Sequence, residues 1–208
     1  MIIGLTGKYC AGKNHIAGIL EKRGLPVLDV DKLGHKVIET EKPIILERFG
    51  NDILRSDGTI DRKLLGAKVF GKSGELAALE AIIHPAVNRE TSAWIEAQKR
   101  PCVINAALLH HSSACKALDA LIIVEAPVLT RLLRARKRDG LSWKDLLKRF
   151  QSQKDFSFQY FIKKADIYRV KNCGYFGFRF FRFLRTRFIK KPEDRIDEIL
   201  SCLGYIKA

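Results

Sequence analysis

The sequence lacks several features that would mark a membrane, secreted or zinc-binding protein. No apolar run approaches the roughly 20 residues of a membrane-spanning helix, and the short apolar start has neither the basic segment nor the cleavage site of a signal peptide. The five cysteines are scattered, odd in number and without a CxxC pair. They predict reduced thiols in a cytoplasmic protein that has no structural zinc site.

Acidic residues are also few, since 23 Asp and Glu stand against 38 Lys and Arg and give a formal net charge of +15. Such an excess suits nucleic acid, an anionic membrane surface or a small substrate that carries several phosphates. The basic residues concentrate near the C-terminus without a nucleic-acid motif, so we expect no nucleic-acid partner. The 208 residues, 47% of them hydrophobic, are enough for one sizeable core.

A glycine loop follows the first apolar run. Residues 2–5 are typical of a strand, Gly7 and Gly12 frame the loop, and Lys13 leads at once into a helical pattern. Strand, glycine loop, lysine and helix are the context of a phosphate-binding loop, in which backbone N–H groups face the anion. The alternative is an ordinary glycine-rich turn with a solvated lysine. We expect ATP to contact Gly7, Lys8, Tyr9, Cys10, Ala11, Gly12, Lys13, Asn14 and His15.

Asn14 occupies the position at which such loops have a Ser or Thr hydroxyl on Mg²⁺. An amide oxygen can coordinate a hard cation, but it is longer and differently placed than a hydroxyl. We therefore expect Asn14 to be a weak Mg²⁺ ligand that lowers turnover without abolishing ATP binding. We expect Asp29 to hold the ion through water.

Residues 25–31 predict a second strand that ends in two carboxylates, Asp29 and Asp31. Open α/β sheets place their chemistry at such strand ends, and the alternation of a strand would aim both carboxylates into one cleft. In the alternative interpretation, Asp31 only caps a helix that begins at Lys32.

The rest of the chain first becomes helical and then returns to strands. Asp57-Gly58 is typical of a turn, and His84-Pro85 separates two predicted helices. Helical patterns lie at 42–49, 62–70, 75–83, 86–98, 127–139, 142–154 and 192–203. Strand patterns lie in 101–111, which includes the following loop, and at 120–125 and 166–172.

Several short motifs keep one order and spacing over about residues 1–172. They are Gly-Leu-Thr-Gly at 4–7, Asp29-Val-Asp31 with His35, Asp57-Gly-Thr-Ile-Asp61-Arg62, Leu79-Glu-Ala-Ile-Ile-His84-Pro85, Arg138-Asp139-Gly140-Leu141, and Ala165-Asp166 with Asn172. In this arrangement the chain resembles the dephospho-CoA kinases, a family of P-loop small-molecule kinases.

The resemblance implies an α/β fold with a doubly wound parallel sheet of P-loop kinase type, a helical acceptor-binding insertion and a lid. Within a single domain over 1–208, the core would comprise 1–31 and 100–208. The acceptor subdomain would span about 32–99 and the lid about 134–160.

The resemblance also implies an activity, in which the γ-phosphate of ATP passes to the ribose 3′-hydroxyl of dephospho-CoA in the last step of coenzyme A synthesis. ATP and Mg²⁺ would be required. Asp31 would accept or orient the hydroxyl proton. Lys13 and the lid arginines Arg134 and Arg138 would neutralise the transferring phosphoryl group.

Three residues of the helical insertion would lie near the acceptor by the same resemblance: Asp61, Arg62 and His84. Each also has a simpler interpretation. Asp61 suits the cap of the next helix with Arg62 in solvent, and a histidine before proline is often structural. The arginines at 131–138 likewise suit a solvated helix face.

The chain departs from the family in two further places. The family usually has an acidic residue near 105 and then Pro-Leu-Leu and a Glu, where this chain has Asn105, residues 107–109 as Ala-Leu-Leu, and His111. Residues 173–191 form a basic, aromatic insert in place of a short turn. A helix packed on the core or a second subunit, a membrane-surface segment and a nucleic-acid contact all remain open for it.

Two other functions therefore compete with the main interpretation. One is a P-loop kinase of another small alcohol, such as a nucleoside or a shikimate-like acceptor. The other is a catalytically weakened descendant that binds nucleotide or CoA. The sequence gives no oligomeric state.

Overall fold

The computed structural model describes residues 1–107, 109, 113–151, 165–173 and 190–205, which form one parallel sheet with helices on both faces. The strands are β1 (Ile2–Gly7), β2 (Val27–Asp29), β3 (Cys102–Asn105), β4 (Ala120–Glu125) and β5 (Asp166–Lys171). The helices are α1 (Lys13–Lys22), α2 (Val30–Thr40), α3 (Lys42–Phe49), α4 (Arg62–Val69), α5 (Ser73–Glu96), α6 (Val128–Asp139), α7 (Trp143–Gln151) and α8 (Pro192–Cys202).

The sheet has the strand order β2-β3-β1-β4-β5, and every pairing is parallel. Ile3 of β1 lies between Val103 of β3 and Ala120 of β4. The chain builds β2 and β3 on one side of β1 and then β4 and β5 on the other. The order therefore reverses at β1, the position at which open α/β sheets bind ligands beyond their carboxyl ends.

Both faces of the sheet are covered, because successive strand residues point to opposite sides. On one face, Leu5 packs with Ile16 of α1 and Ile196 of α8. On the other, Ile104 packs with Leu118 and with Trp94 of α5. The predicted doubly wound parallel sheet is confirmed, as are the strands at 120–125 and in 101–111.

The helices between β2 and β3 have an apolar cluster of their own. It is formed by Ile45, Phe49, Ile53, Ile60, Leu65, Val69 and Leu79. Val37 of α2 packs with Ala86 and Val87 of α5, which joins this cluster to the sheet-covering helices. The predicted turn is present, with Gly58 at φ 78° and the Thr59 N–H donating to the Asp57 carboxylate at 2.9 Å.

The prediction of two helices around His84-Pro85 is wrong. α5 is one helix of 24 residues with Pro85 inside it. A proline removes one helical hydrogen bond and clashes with the preceding turn. Buried residues on both sides of it, Leu79 and Val87 among them, pack against neighbouring helices and hold α5 together.

The prediction of a strand through Asp31 is also wrong. β2 ends at Asp29, whose carboxylate accepts a hydrogen bond from the Lys32 N–H at 3.1 Å and caps α2. Asp31 lies in the first turn of α2, so strand alternation does not relate the two carboxylates. The helix cap assigned to Asp31 belongs to Asp29 instead, because a cap precedes its helix.

Some predictions lie outside the described residues. They concern residues 108 and 110–112 with His111, the lid beyond residue 151, and the insert at 173–191 apart from Cys173, Lys190 and Lys191. None of the described helices is long and apolar enough to cross a membrane.

Candidate active site

The phosphate loop connects the end of β1 to the start of α1, and both of its glycines are required by their surroundings. A Cβ on Gly7 would lie 2.5 Å from the Val124 carbonyl oxygen. Gly12 has φ 95°, and a Cβ there would lie 2.1 Å from the Asn172 Nδ2. A side chain at either position would force the loop off β4 or off the end of β5.

The phosphate loop leads into the N-terminus of α1, whose first N–H groups have no partner within the helix. Cys10 takes the left-handed conformation at φ 58°, and the Ala11 N–H donates to the Lys8 carbonyl at 2.9 Å. Among the described residues no side chain caps α1, and its first turn contains no acidic residue. The positive end of the helix is therefore available to phosphate.

Lys13 and Asp31 form an ion pair at the meeting point of the loop and α2. The Lys13 Nζ lies 3.1 Å from the Asp31 Oδ2, and the Ala107 N–H donates to the other carboxylate oxygen at 3.3 Å. The Lys13 side chain is 12% exposed, whereas that of Asp31 is 52% exposed. The lysine is therefore fixed beside the loop, while the carboxylate faces open space.

Asn14 is paired with Asn105, which ends β3. The Asn105 Nδ2 donates to the Asn14 Oδ1 at 3.2 Å. Asn105 is 1% exposed, and its own Oδ1 has no hydrogen-bond partner in the part of the chain that the structure describes. Two neutral amides thus lie side by side at the carboxyl edge of the sheet.

The helix α6 approaches the phosphate loop with three arginines. Arg134 donates to the Ala11 carbonyl at 3.1 Å and to the Asn172 carbonyl at 3.0 Å. Arg131 is buried with its guanidinium 4.8 Å from the centre of the Phe150 ring, and burial lowers its pKa. These contacts tie α6 and α7 to the backbone of the phosphate loop.

The third arginine, Arg138, lies over the loop itself. Its guanidinium is 5.1 Å from the centre of the Tyr9 ring and binds the Asp139 carboxylate at 2.7 Å. The Tyr9 hydroxyl also donates to Asp139. Hydrogen bonds from Arg138 and Tyr9 lower the pKa of Asp139, although its partial burial opposes them. Burial raises the pKa of the Cys10 thiol despite the nearby arginines.

A cavity of about 490 Å³ lies beside Asp31, between α2 and α5. It is lined by Val30, Asp31, Gly34, His35, Ile38, Phe70, Glu80, Ile83, His84, Val87, Asn88 and Ala106. The structure thus brings together Asp31 and His84 of the predicted acceptor residues. Asp61 instead caps α4 and pairs with Arg55, and Arg62 is exposed at the start of that helix.

Comparison with known proteins agrees with this geometry. The family described as dephospho-CoA kinase matches residues 1–171. A dephospho-CoA kinase of Anaeromyxobacter dehalogenans is 42% identical over 147 residues, 67% of this chain and 70% of that protein. One from Treponema denticola is 34% identical over 183 residues, 83% and 82% of the two chains. The chain belongs to the dephospho-CoA kinase family.

A solved structure has a similar fold. A Thermus thermophilus protein of known crystal structure is 26% identical, with a TM-score of 0.76 over 100% of this chain and 98% of that one. Dephospho-CoA kinases use ATP and Mg²⁺ to phosphorylate the ribose hydroxyl of dephospho-CoA in the last step of coenzyme A biosynthesis. This chain is accordingly an ATP-dependent kinase.

The residues at the edge of the sheet fit the Mg²⁺ of a dephospho-CoA kinase in kind, because all the donors are oxygens. The candidates are the amide oxygens of Asn14 and Asn105 and the carboxylate of Asp29. Asp29 already caps α2 and lies 3.7 Å from Lys32. Mg²⁺ accepts few protein ligands and takes the rest from water and phosphate. The Asn105 Oδ1, which lacks a partner in the described part of the chain, could accept a hydrogen bond from such a water.

Three site residues have roles that their sequence patterns alone did not reveal. The Asn105 contact to Asn14 joins residues 91 positions apart, and only the strand order brings them together. Arg131 belongs to the predicted solvated charge run but is buried against Phe150. His15, predicted to bind ATP, is exposed and points its ring toward Glu193 of α8 at 3.9 Å.

Proposed function

We propose that phosphoryl transfer in this kinase takes place where the phosphate loop meets the cavity beside α2. The observation that carries this proposal is the Lys13–Asp31 contact of 3.1 Å. It joins the loop lysine to a half-exposed carboxylate that lines the cavity. An acceptor hydroxyl in that cavity and a γ-phosphate on that loop would meet at these two residues.

In the proposed step the ribose 3′-hydroxyl oxygen forms a bond to the γ-phosphorus of ATP, and the bond from that phosphorus to the β,γ-bridging oxygen breaks. The hydroxyl proton goes to the Asp31 carboxylate and ADP leaves. Lys13 gives up its contact with Asp31 for the phosphate oxygens. Nucleotide binding thereby frees the carboxylate for the hydroxyl.

The arginines of α6 would complete the site from the opposite side. Arg134 is already fixed to the loop, whereas Arg138 is exposed and can exchange Asp139 for phosphate oxygens. The Mg²⁺ that accompanies ATP supplies further charge neutralisation, and we propose that Asn14 ligates it weakly while Asp29 acts through water.

The helices α2 to α5 would serve as the acceptor subdomain, at about residues 32–99, with the core at 1–31 and 100–208. Their separate apolar cluster supports this division. His84 lines the cavity with Asp31 and suits a polar contact to the acceptor. Asp61 and Arg62 lie outside that lining, so contact of these two residues with the acceptor stays a prediction.

The cellular setting follows from the family role and from the cysteines, all five of which are free in the structure. Free thiols suit a reducing compartment, and we propose a cytoplasmic location. Dephospho-CoA would be the small-molecule partner.

An acceptor panel tests the proposed function. ADP release would be measured with MgATP and dephospho-CoA, a nucleoside or shikimate, using the wild type and Asp31→Asn. We expect release with dephospho-CoA alone, and a loss of about 10²–10⁴-fold in Asp31→Asn, the usual contribution of a positioned base. Faster release with another acceptor would contradict the assignment, and equal rates in the two proteins would remove Asp31 from the mechanism.

A further inference from the structure

We propose that Asn14 and Asn105 act as one unit, an amide pair that receives the nucleotide's Mg²⁺ with neutral oxygens and makes nucleotide binding only weakly dependent on that ion. The inference rests on the proposed nucleotide binding at the phosphate loop. It concerns two asparagines, one on α1 and one at the end of β3.

The hydrogen bond between the two side chains makes each residue depend on the other. The Asn105 Nδ2 donates to the Asn14 Oδ1 at 3.2 Å. A carboxylate at 105 has no donor for this bond, since an ionised carboxyl group only accepts. A serine at 14 has a shorter side chain and would leave the Asn105 amide N–H without its partner. Each amide therefore favours the other.

The pair is anchored by the sheet. Asn105 is 1% exposed and pairs in register with Leu5 of β1 and with Asp29 of β2. Its N–H group holds the Asn14 Oδ1 at the first turn of α1, directly after Lys13. Asn105 thus fixes the direction in which the Asn14 Oδ1 can face a cation.

The remaining oxygen of the pair supports a ligand at this place. The Asn105 Oδ1 is buried and has no partner among the described residues. A buried acceptor without a hydrogen bond costs free energy. A water on a bound cation would donate to it, so loading the loop with a nucleotide and its cation would give a partner to an atom that has none among the described residues.

The net charge at the carboxyl edge of the sheet determines how strongly this edge attracts a cation. The pair contributes no charge, and Asp29 lies 3.7 Å from Lys32. Asp31, which Lys13 releases when the nucleotide binds, lines the acceptor cavity and is assigned to the acceptor hydroxyl. At the amide pair a divalent ion therefore meets amide oxygens rather than a carboxylate. The phosphates of the nucleotide must supply nearly all of the negative charge, while the loop N–H groups and Lys13 bind those phosphates without the ion.

The test measures the Kd of the β,γ-imido analogue of ATP by calorimetry, once in EDTA and once in MgCl₂. The Mg²⁺ ratio is the Kd in EDTA divided by the Kd in MgCl₂. The proteins are the wild type, Asn14→Ser, Asn105→Asp and the double variant, with Asn51→Ser and Asn51→Asp as controls at an exposed site. We expect a ratio of about threefold or less in the wild type and the controls. The carboxylate at position 105 should raise this ratio about tenfold in the double variant.

Coupling is the second expectation. Asn14→Ser alone should leave the ratio low, because residue 105 stays neutral, but should raise it in the Asn105→Asp background. Asn14→Ser alone should also lower the Tm of the free protein by roughly 2–10 °C, because a buried amide loses its partner.

The outcomes separate the two levels of the proposal. Analogue binding with a wild-type ratio as high as that of the double variant would overturn the amide pair and leave the kinase assignment intact. Additive effects of the two substitutions would overturn it as well. Failure of the wild type to bind the analogue under either condition would overturn both the pair and the proposed site.

Discussion

The two sides of the phosphate loop are held in place by different means. We call Lys13, Asn14, Asp31 and Asn105 the sheet side, and Tyr9 with the α6 residues 131–139 the lid side. On the sheet side the residues end strands or begin helices, and Asn105 is almost wholly buried. On the lid side the Arg138 side chain is 61% exposed and is held by the carboxylate of Asp139 and the ring of Tyr9.

The difference indicates which side is ready before substrates bind. Strand ends and helix starts are fixed by the apolar core beneath them, and they keep their positions in the free enzyme. Exposed ion pairs contribute little to stability and weaken with salt. Arg138 on the lid side can therefore exchange its contacts for phosphate oxygens at small cost.

Removing the positive charge of Lys13 on the sheet side should have the largest effect on catalysis. Lys13→Ala deletes the cation that is fixed beside the loop and unpairs Asp31. We expect kcat/KM for MgATP to fall on the order of 10²–10³-fold, the loss usual for one charge-stabilising donor. Steady-state kinetics with dephospho-CoA would measure it.

Lys22→Ala is the matched control, because Lys22 is exposed at the far end of the same helix. It should keep wild-type kinetics. Equal losses of kcat/KM in both variants would mean that the effect comes from the stability of α1. Wild-type kinetics in Lys13→Ala would show that Lys13 does not contribute to catalysis.

Local patterns predicted much of the core and part of the sheet side. The strand-loop-helix arrangement around Lys13 and the β4 strand depend on residues close in sequence, and both are confirmed. The prediction is right for Asp29, which ends β2, and wrong for Asp31, which lies in α2, because an Asp-rich strand end and a helix start look alike in sequence. The contact between Asn14 and Asn105 was out of reach, since strand order alone brings β3 beside β1.

On the lid side, too, the local sequence did not predict which residues are buried. The charge run at 131–138 is consistent with a solvated helix, and only the packing of α7 separates buried Arg131 from exposed Arg138. In the helical insertion, the packing on both sides of Pro85 overcame a local signal for a helix end. Long-range packing accounts for each of these differences.

A smaller and pH-dependent effect is expected on the lid side from Asp139→Asn. The pKa of Asp139 is lowered in the folded enzyme by its bonds to Arg138 and Tyr9. Its contribution to stability is therefore present above the ordinary carboxyl pKa and is lost as the pH falls through the lowered value. Below about pH 4 the wild-type Tm should converge on that of the variant, from a difference of about 1–3 °C at neutral pH.

Asp197→Asn provides the comparison, because the pKa of Asp197 is likewise lowered by Arg23, far from the loop. Thermal unfolding from pH 3 to 7 should show the same convergence in both variants. Only Asp139→Asn should also change turnover, through the loosened Arg138. A turnover change in Asp197→Asn alone would contradict the division between the two sides.

The position of the new phosphate is the sharpest test of transfer to the ribose 3′-hydroxyl at Asp31. Dephospho-CoA and MgATP would be incubated with the wild type and with Asp31→Asn, and the product analysed by phosphorus NMR against authentic coenzyme A. We expect one new monoester, on the ribose 3′-oxygen, which forms with the wild type and is strongly reduced with the variant. A phosphate on another oxygen, or equal formation with both proteins, would contradict it.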